Sequence, residues 1–298
     1  MKIGFIGLGV MGRPIAEHLL CAGHELSVYA RRSAAAAPLA AAGALAWSSP
    51  AEAAARAEVV FTMVTGSDDV RQVVLGEGGV IDGAAPGTVV VDMSTIAPGV
   101  AREVAAALAA RGIAMLDAPV SGGESGARAG TLAIMVGGEA AALERVGPLL
   151  SCFAGSVVRV GGCGAGQVAK ACNQMVMVAA IEACAEAARL AEAAGVAFER
   201  VREALLAGSA GSRVLEVFGA RMAGRDFAAG VEARLHHKDF AIVQAEAAAG
   251  GIPLPLAAAV GQQLNALIGR GWGRADSAAL LRLLEVPPRA PVTGMTTE

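Results

Sequence analysis

The feature that most constrains this chain is a glycine-rich segment between a short apolar run and an apolar helical pattern. Residues 7–12 are Gly-Leu-Gly-Val-Met-Gly and fit the pattern G-x-G-x-x-G. Residues 2–6 before them predict a buried strand, and residues 11–22 predict a helix. In this context the first glycine permits a tight turn, the second lets a pyrophosphate approach the backbone, and the third lets helix and strand pack closely. A dinucleotide would therefore bind at Gly7, Leu8, Gly9, Val10, Met11 and Gly12, and the alternative is a glycine-rich turn without a ligand.

Strand and helix patterns continue to alternate through the first half of the chain. Further strands are predicted at 25–29, 59–64, 88–92, 114–117, 132–136 and 157–160. Helices are predicted between them at 33–41, 68–75 and 98–111. This alternation is typical of an α/β Rossmann domain, a doubly wound and mostly parallel sheet with right-handed crossovers.

After about residue 162 the pattern becomes helical throughout. Residues 167–194 predict one helix of roughly 28 residues, about 42 Å long. Shorter helices are predicted at 199–208, 213–223, 237–249, 255–270 and 276–283. The predicted domains are therefore a Rossmann domain at 1–162, an all-α domain at 163–286 built on one long helix, and a Pro-rich tail at 287–298.

Composition excludes several classes of protein. The 298 residues carry 24 Lys+Arg against 27 Asp+Glu, a net charge of -3, which argues against a nucleic-acid partner. The longest uncharged run, 33–51, is interrupted by Pro38, Gly43 and Pro50, so no membrane span is predicted. No export signal is predicted at the N-terminus, and the five cysteines have no CxxC spacing beside a histidine. A cytoplasmic protein without a structural metal is expected.

Cofactor selectivity is predicted from the end of the second strand. NAD-specific sites usually place an acidic residue there, about 20 residues beyond the glycines, to bind the ribose hydroxyl. This chain has Ala30, Arg31, Arg32 and Ser33 instead. Because Arg31 could pair with a 2′-phosphate, NADPH is favoured and NADH remains possible. The alternative is that Arg31 and Arg32 are solvated loop residues.

Segments that follow other predicted strands carry further candidates. The backbone at Met63 and Val64 follows a strand and could line the adenosine side. Residues 92–98 and 117–123 also follow strands, at the sheet edge where α/β proteins bind ligands. The Ser121 hydroxyl and the amides of Gly122 and Gly123 could bind a small carboxylate. An ordinary turn is the alternative.

A lysine stands in the first turns of the long apolar helix, after a glycine-rich segment. Lys170, Asn173 and Gln174 are spaced i, i+3 and i+4, so they share one helical face. An ammonium group there could donate a proton to a carbonyl oxygen. The alternative is a surface lysine with its charge in water. The adjacent residues His236 and His237 point about 100° apart on a helix, so they predict a polar pair near a helix end and no shared metal.

These segments together resemble the β-hydroxyacid dehydrogenases, and within them the tartronate semialdehyde reductases. The motifs that carry the resemblance are at 7–12, 92–98, 117–123, 164–170 and 237–239, and it covers about residues 1–285. It implies a Rossmann domain, a helical domain built on one long helix, and an active site in the cleft between them. A homodimer or homotetramer is expected.

The resemblance also implies roles for individual residues. Lys170 is the catalytic acid/base, and Ser121, Gly122 and Gly123 hold the substrate carboxylate. Thr95 lies beside the nicotinamide, and Lys238 reaches the cofactor from the second domain. Many relatives have Asn four residues after the lysine, where this chain has Gln174. Whether Asn173 or Gln174 contacts the substrate stays open.

The expected activity is NADPH-linked reduction of a small carboxylated aldehyde, tartronate semialdehyde (2-hydroxy-3-oxopropionate), to D-glycerate without a metal. A dehydrogenase for 3-hydroxyisobutyrate or another short 3-hydroxy acid is the alternative enzyme, since the same lysine and carboxylate site would serve it. Imine reductases have a related fold but typically replace the lysine, so Lys170 argues against them. A non-enzymatic nucleotide-binding module need not keep Lys170 together with the carboxylate segment.

Overall fold

The computed structural model describes residues 1–285, and the predicted tail at 287–298 lies outside the described residues. The chain forms two compact units, Met1–Cys172 and the part from Asn173 onward. The first unit contains a sheet with helices, and the second is helical. The predicted fold class, a Rossmann domain followed by an all-α domain, is confirmed.

Within residues 1–285, nine strands form one mostly parallel sheet. They are β1 (Lys2–Ile6), β2 (Glu25–Tyr29), β3 (Leu45–Ala46), β4 (Val59–Thr62), β5 (Val89–Asp92), β6 (Ala114–Asp117), β7 (Val120–Ser121), β8 (Leu132–Gly137) and β9 (Ala154–Gly161). Their order is β3-β2-β1-β4-β5-β6-β8-β7, and β9 pairs with β8. Strand β8 runs antiparallel to β6 and β7, and the other pairs are parallel.

The central strands are apolar on both faces because helices cover the sheet on both sides. Phe5 and Phe61 lie in one buried cluster, whereas Ile6 and Val60, their neighbours in sequence, lie in the other. Successive strand residues point to opposite faces, so a strand buried on both sides is a continuous apolar run. This explains why the sequence predicts these strands well.

The helices of the first unit connect its strands. They are α1 (Gly12–Cys21), α2 (Ala37–Ala41), α3 (Pro50–Ala54), α4 (Ser67–Leu75), α5 (Val80–Gly83), α6 (Pro98–Ala109), α7 (Gly123–Ala129) and α8 (Ala140–Leu150). The predicted helix at 33–41 is wrong in part, since it divides into a 3₁₀ turn at Ser33–Ala35 and the short α2. The predicted strand at 59–64 ends earlier, at Thr62, so Met63 and Val64 lie in the following loop.

The long helix is α9 (Ala165–Ala193), which has 29 residues. Val178, Ile181, Ala185 and Ala188 are buried at the spacing of one helical face. Its length and composition would also let it cross a membrane, a test that the core helix of a soluble protein passes too. The other helices of the second unit are α10 (Phe198–Leu206), α11 (Ala220–Ala223), α12 (Ala233–Gly250), α13 (Pro255–Gly269) and α14 (Leu280–Leu283), with a π-helical turn at Leu215–Gly219 and a 3₁₀ turn at Ser277–Ala279.

Candidate active site

The glycine turn joins β1 to α1 in a conformation that only glycine adopts readily. Gly7 has φ +99°, and its backbone N–H donates a hydrogen bond of 2.9 Å to Tyr29 O. A Cβ added at Gly12 would lie 2.0 Å from Gly7 O, so the third glycine is required for helix and turn to meet. A Cβ added at Gly9 would meet nothing within 4 Å. The second glycine therefore leaves open space above the turn.

A cavity of about 280 Å³ lies beside this turn. Its lining includes eight of the predicted cofactor residues, namely Gly7, Leu8, Gly9, Ala30, Arg31, Arg32, Met63 and Val64. The lining also contains Ile6, Tyr29, Ala35, Thr65, Asp69, Gln72 and Val73. Among the described residues, the predicted Val10, Met11, Gly12, Ser33, Thr95 and Lys238 do not line it. Sequence reasoning did not include the residues of α4, although a helix that follows a strand end at the binding edge is a usable signal.

Arg31 has an acidic neighbour across this cavity. Its Nη1 atom lies 3.7 Å from Asp69 Oδ1, and 89% of the Arg31 side chain is exposed. Arg32 is also exposed. Both guanidinium groups are therefore accessible to an anion in solution.

Buried polar groups tie the ends of β4 and β5 together. Asp92 Oδ1 accepts hydrogen bonds from Thr62 Oγ1 at 2.7 Å and from the backbone N–H of Ser94 at 3.2 Å. Ser94 Oγ in turn accepts one from the backbone N–H of Val64 at 2.9 Å. Burial raises the pKa of the Asp92 carboxyl to about 6, because an ionised carboxylate is poorly solvated there. The network fixes the loop that carries Met63 and Val64.

Gln167, in the first turns of α9, holds the segment that contains Thr95. Its Oε1 accepts a hydrogen bond from the backbone N–H of Ile96 at 3.0 Å. Its Nε2 donates one to Ser94 O at 2.8 Å. The Ser94 carbonyl precedes Thr95 and the Ile96 N–H follows it, so one buried side chain holds the backbone in place on both sides of Thr95. Sequence reasoning did not single out Gln167, because its contacts span 71 and 73 residues along the chain.

Asp117, at the end of β6, fixes the beginning of α9. Its Oδ1 accepts a hydrogen bond from the backbone N–H of Gly164 at 2.7 Å, and its Oδ2 accepts one from that of Gln167 at 2.9 Å. Burial raises the pKa of the Asp117 carboxyl, and these hydrogen bonds oppose that rise. A Cβ added at Gly166 would lie 2.4 Å from Asp117 O, so helix and strand pack without space for a side chain. Lys170, with 7% of its surface exposed, follows Gln167 by three residues on α9.

The predicted carboxylate segment has an unusual backbone. Ser121 ends β7, and Gly122 and Gly123 have φ of +135° and +62°. Other residues rarely adopt either value. A Cβ added at Gly123 would meet nothing within 4 Å, whereas one at Gly122 would lie 3.0 Å from Leu132 Cδ2. The segment therefore presents backbone toward open space at Gly123.

In the second unit, the two candidate amides belong to a chain of polar contacts. Asn173 Nδ2 donates a hydrogen bond to Gln174 Oε1 at 2.8 Å, and Gln174 Nε2 donates one to Asp239 Oδ2 at 2.5 Å. Lys238 Nζ lies 3.0 Å from Asp239 Oδ1, close enough for an ion pair but outside hydrogen-bond geometry. Both polar atoms of the Gln174 amide thus have partners in the protein. Asp239 is a residue that sequence reasoning gave no role.

The two adjacent histidines have separate partners near the N-terminus of α12. His236 is buried and lies 2.6 Å from Ser277 Oγ, and His237 Nε2 lies 2.8 Å from Asn265 Oδ1. Within residues 1–285, no group of three or more His, Cys, Asp or Glu side chains is arranged to hold a metal ion.

The first unit fits a dinucleotide on structural grounds. The turn provides open space at Gly9, and α1 begins with Gly12, without a side-chain cap on its N-terminal N–H groups. Helix N-termini of this kind bind phosphates. The fold and this site define a dinucleotide-binding protein of the Rossmann class.

Comparison with known sequence families identifies the protein more closely. Residues 2–162 match the family described as the NAD binding domain of 6-phosphogluconate dehydrogenase. Residues 164–284 match the family described as NAD-binding of NADP-dependent 3-hydroxyisobutyrate dehydrogenase. The chain belongs to the β-hydroxyacid dehydrogenase family, and it is an NAD(P)-dependent oxidoreductase that acts on CH–OH groups.

Three relatives show the range of substrates in the family. An NAD-dependent L-serine dehydrogenase of Pseudomonas aeruginosa is 47% identical over 195 residues, which cover 65% of each chain. A 2-hydroxy-3-oxopropionate reductase of Escherichia coli is 42% identical over 203 residues, or 68% of this chain and 69% of that protein. The structure of Mycobacterium tuberculosis 3-hydroxyisobutyrate dehydrogenase with L-serine has a TM-score of 0.88 and 35% identity, and it covers 95% of this chain and 99% of that one.

Proposed function

We propose that this protein reduces tartronate semialdehyde to D-glycerate with NADPH. The observation that carries the proposal is the position of Lys170, a buried lysine on the helix that Asp117 and Gln167 fix in place. The relative from Escherichia coli supports the choice of substrate. Arg31 and Arg32, in the lining of the cavity, support the choice of NADPH.

The first unit would bind the cofactor with residues already described. The backbone of residues 7–12 would hold the pyrophosphate, Arg31 a 2′-phosphate, and the loop at Met63 and Val64 the adenosine side. Thr95, fixed between the two hydrogen bonds of Gln167, would lie beside the nicotinamide. When bound, the nicotinamide supplies the hydride that reduces the aldehyde.

The chain itself binds the substrate and provides the proton. Ser121, Gly122 and Gly123 bind the carboxylate through a hydroxyl and backbone N–H groups. The Lys170 ammonium donates a proton to the aldehyde oxygen as it becomes an alcohol, and in the reverse direction the neutral amine accepts it. A charge aimed at the developing oxyanion also stabilises the transition state.

Asn173 is the better candidate than Gln174 for contact with the substrate. Gln174 uses its carbonyl on Asn173 and its amino group on Asp239. Asn173 uses one N–H of its amide on Gln174 and has a second N–H and a carbonyl oxygen to offer. Gln174 therefore positions Asn173.

Oxidation of a short 3-hydroxy acid is the second candidate function. The relative from Pseudomonas aeruginosa is an L-serine dehydrogenase, and the Mycobacterium tuberculosis structure contains L-serine. L-Serine and 3-hydroxyisobutyrate both carry a carboxylate and a primary alcohol, so the same lysine and carboxylate segment would serve them.

Initial rates with a panel of substrates test the proposal. Tartronate semialdehyde, methylmalonate semialdehyde and succinate semialdehyde would each be assayed with NADPH and NADH, and L-serine and 3-hydroxyisobutyrate with NADP⁺ and NAD⁺. We expect the highest kcat/KM for tartronate semialdehyde with NADPH. A higher value for L-serine or 3-hydroxyisobutyrate would support the second candidate and contradict the first.

A further inference from the structure

We infer that Asp69 weakens the preference for NADPH over NADH, because its carboxylate competes with the 2′-phosphate of NADPH for Arg31. Both side chains line the cavity beside the glycine turn, and Asp69 Oδ1 lies 3.7 Å from Arg31 Nη1. Asp69 belongs to the first turn of α4, whereas Arg31 follows β2. This inference rests on the proposed use of NADPH.

The pair is weak enough for a ligand to displace it. The Arg31 side chain is 89% exposed and that of Asp69 is 41% exposed, so water screens their attraction. A phosphate carries more charge than a carboxylate and accepts a bidentate hydrogen bond from a guanidinium group. Arg31 can therefore exchange one anion for the other.

Asp69 opposes NADPH by occupying Arg31, which must leave the carboxylate before it binds a phosphate. The ribose hydroxyl of NADH is neutral, so NADH binding does not need Arg31 to leave Asp69. Asp69 thus lowers the affinity for NADPH and leaves the affinity for NADH unchanged. It acts through Arg31 and is therefore a positioning residue.

A structural role for Asp69 is the competing explanation. Acidic residues in the first turn of a helix stabilise it through the helix dipole. Asp68 occupies the same turn, but it pairs with Arg71 at 3.2 Å and does not line the cavity. Asp68→Asn removes the same charge from the same turn and is the matched control.

Isothermal titration of NADPH and NADH, without substrate, tests the inference. We expect Asp69→Asn to tighten NADPH binding by about 2- to 5-fold and to leave the Kd of NADH unchanged. Asp68→Asn should change neither Kd. In an Arg31→Ala background, Asp69→Asn should change the Kd of NADPH by less than about twofold, because the competition is then absent.

Three results would overturn the inference: weaker NADPH binding by Asp69→Asn, equal tightening of both cofactors, or a gain that persists without Arg31. The proposed function fails in a different way. A wild-type protein that binds both cofactors but does not reduce tartronate semialdehyde would contradict the proposed substrate, and the Asp69 result would stand independently.

Discussion

Gln167 fixes Thr95 from both sides, because its side-chain amide accepts from the N–H that follows Thr95 and donates to the carbonyl that precedes it. Gln167 also donates its own backbone N–H to Asp117. One residue thus links the ends of β5 and β6 to α9, the helix that carries Lys170. A buried amide with both ends paired holds a single geometry.

We expect Gln167→Leu to lower kcat by about 10-fold or more and to destabilise the protein. The substitution leaves the Ile96 N–H and the Ser94 carbonyl buried and unpaired, at a cost of about 1–3 kcal/mol for each group. Steady-state kinetics and urea denaturation measure the two effects. Gln262→Leu, at an exposed glutamine of α13, is the control and should change neither. Wild-type kcat in Gln167→Leu would show that the position of Thr95 does not matter for turnover.

Replacing Lys170 tests the proposed proton donor. Lys170→Ala should lower kcat by at least about 10²-fold, the usual loss when a positioned general acid is removed. The Kd of NADPH should stay near its wild-type value. The chain has three lysines, and the exposed Lys2 provides the matched control, since Lys2→Ala should leave turnover unchanged. A Lys170→Ala variant with more than half of wild-type turnover would rule out the assignment.

Two experiments test the carboxylate segment: one changes the substrate, and the other changes the protein. Glyceraldehyde lacks the carboxylate and should lose about 10²-fold or more in kcat/KM relative to tartronate semialdehyde, because the charge-assisted hydrogen bonds to the carboxylate are lost. Comparable values for the two aldehydes would remove this segment from the mechanism.

Gly123→Ala should lower kcat/KM for tartronate semialdehyde by a similar factor, because the methyl group would occupy space beside the backbone N–H groups that bind the carboxylate. NADPH should still bind. Gly251→Ala is the matched control, because Gly251 also has φ +62° and a Cβ there also meets nothing within 4 Å. Kinetics and NADPH titration of both variants show whether backbone strain or a lost contact with the substrate carboxylate lowers the activity. An equal loss of activity in the two variants would mean that strain alone explains the effect.

Glu182 should make the folded state less stable as the pH rises. Burial raises the pKa of its carboxyl from 4.5 to about 7, and among the described residues neither oxygen has a hydrogen-bond partner. The folded protein therefore holds a proton that the unfolded chain releases between about pH 4.5 and 7, and stability is lost across that window. Ionised Glu182 costs on the order of 3 kcal/mol above pH 7.

Glu182→Gln should accordingly raise the free energy of unfolding at pH 8 and change it little at pH 4.5. Urea denaturation at the two pH values measures the difference between variant and wild type. The exposed Glu186, which also raises the pKa of Glu182, is the control, and Glu186→Gln should stabilise less. A larger effect at pH 4.5 than at pH 8 would contradict the assignment to ionisation.

The sequence predicts the fold well wherever burial produces a strong pattern. Strands buried on both faces, such as β4 and β5, are continuous apolar runs, and the strands at 25–29 and 114–117 are predicted with their observed bounds. The short helices α3, α5 and α7 and the eleven-residue α8 were not predicted. Helix α7 begins at a glycine with positive φ, and α8 contains Pro148, so local propensity argues against both.

The candidate site is predicted less completely, because its supporting contacts are distant in sequence. Motif spacing is enough to select Lys170 and the residues of the glycine turn. Spacing carries no information on Gln167 holding Thr95, on Asp117 fixing α9, or on Asp69 facing Arg31. Each of those contacts joins two elements whose packing depends on the whole fold, and the catalytic roles stay predictions until the variants are measured.

The three glycines of the turn are needed for two different reasons, folding and ligand binding. Gly7 has φ +99°, and a Cβ at Gly12 would lie 2.0 Å from the carbonyl of Gly7, so replacing either residue penalises folding itself. Gly9 has open space above it, and alanine there would fold as well as glycine. A lineage selected for stability alone would keep the first and third glycines and lose the second by drift. The middle glycine is therefore the position whose persistence depends on ligand binding.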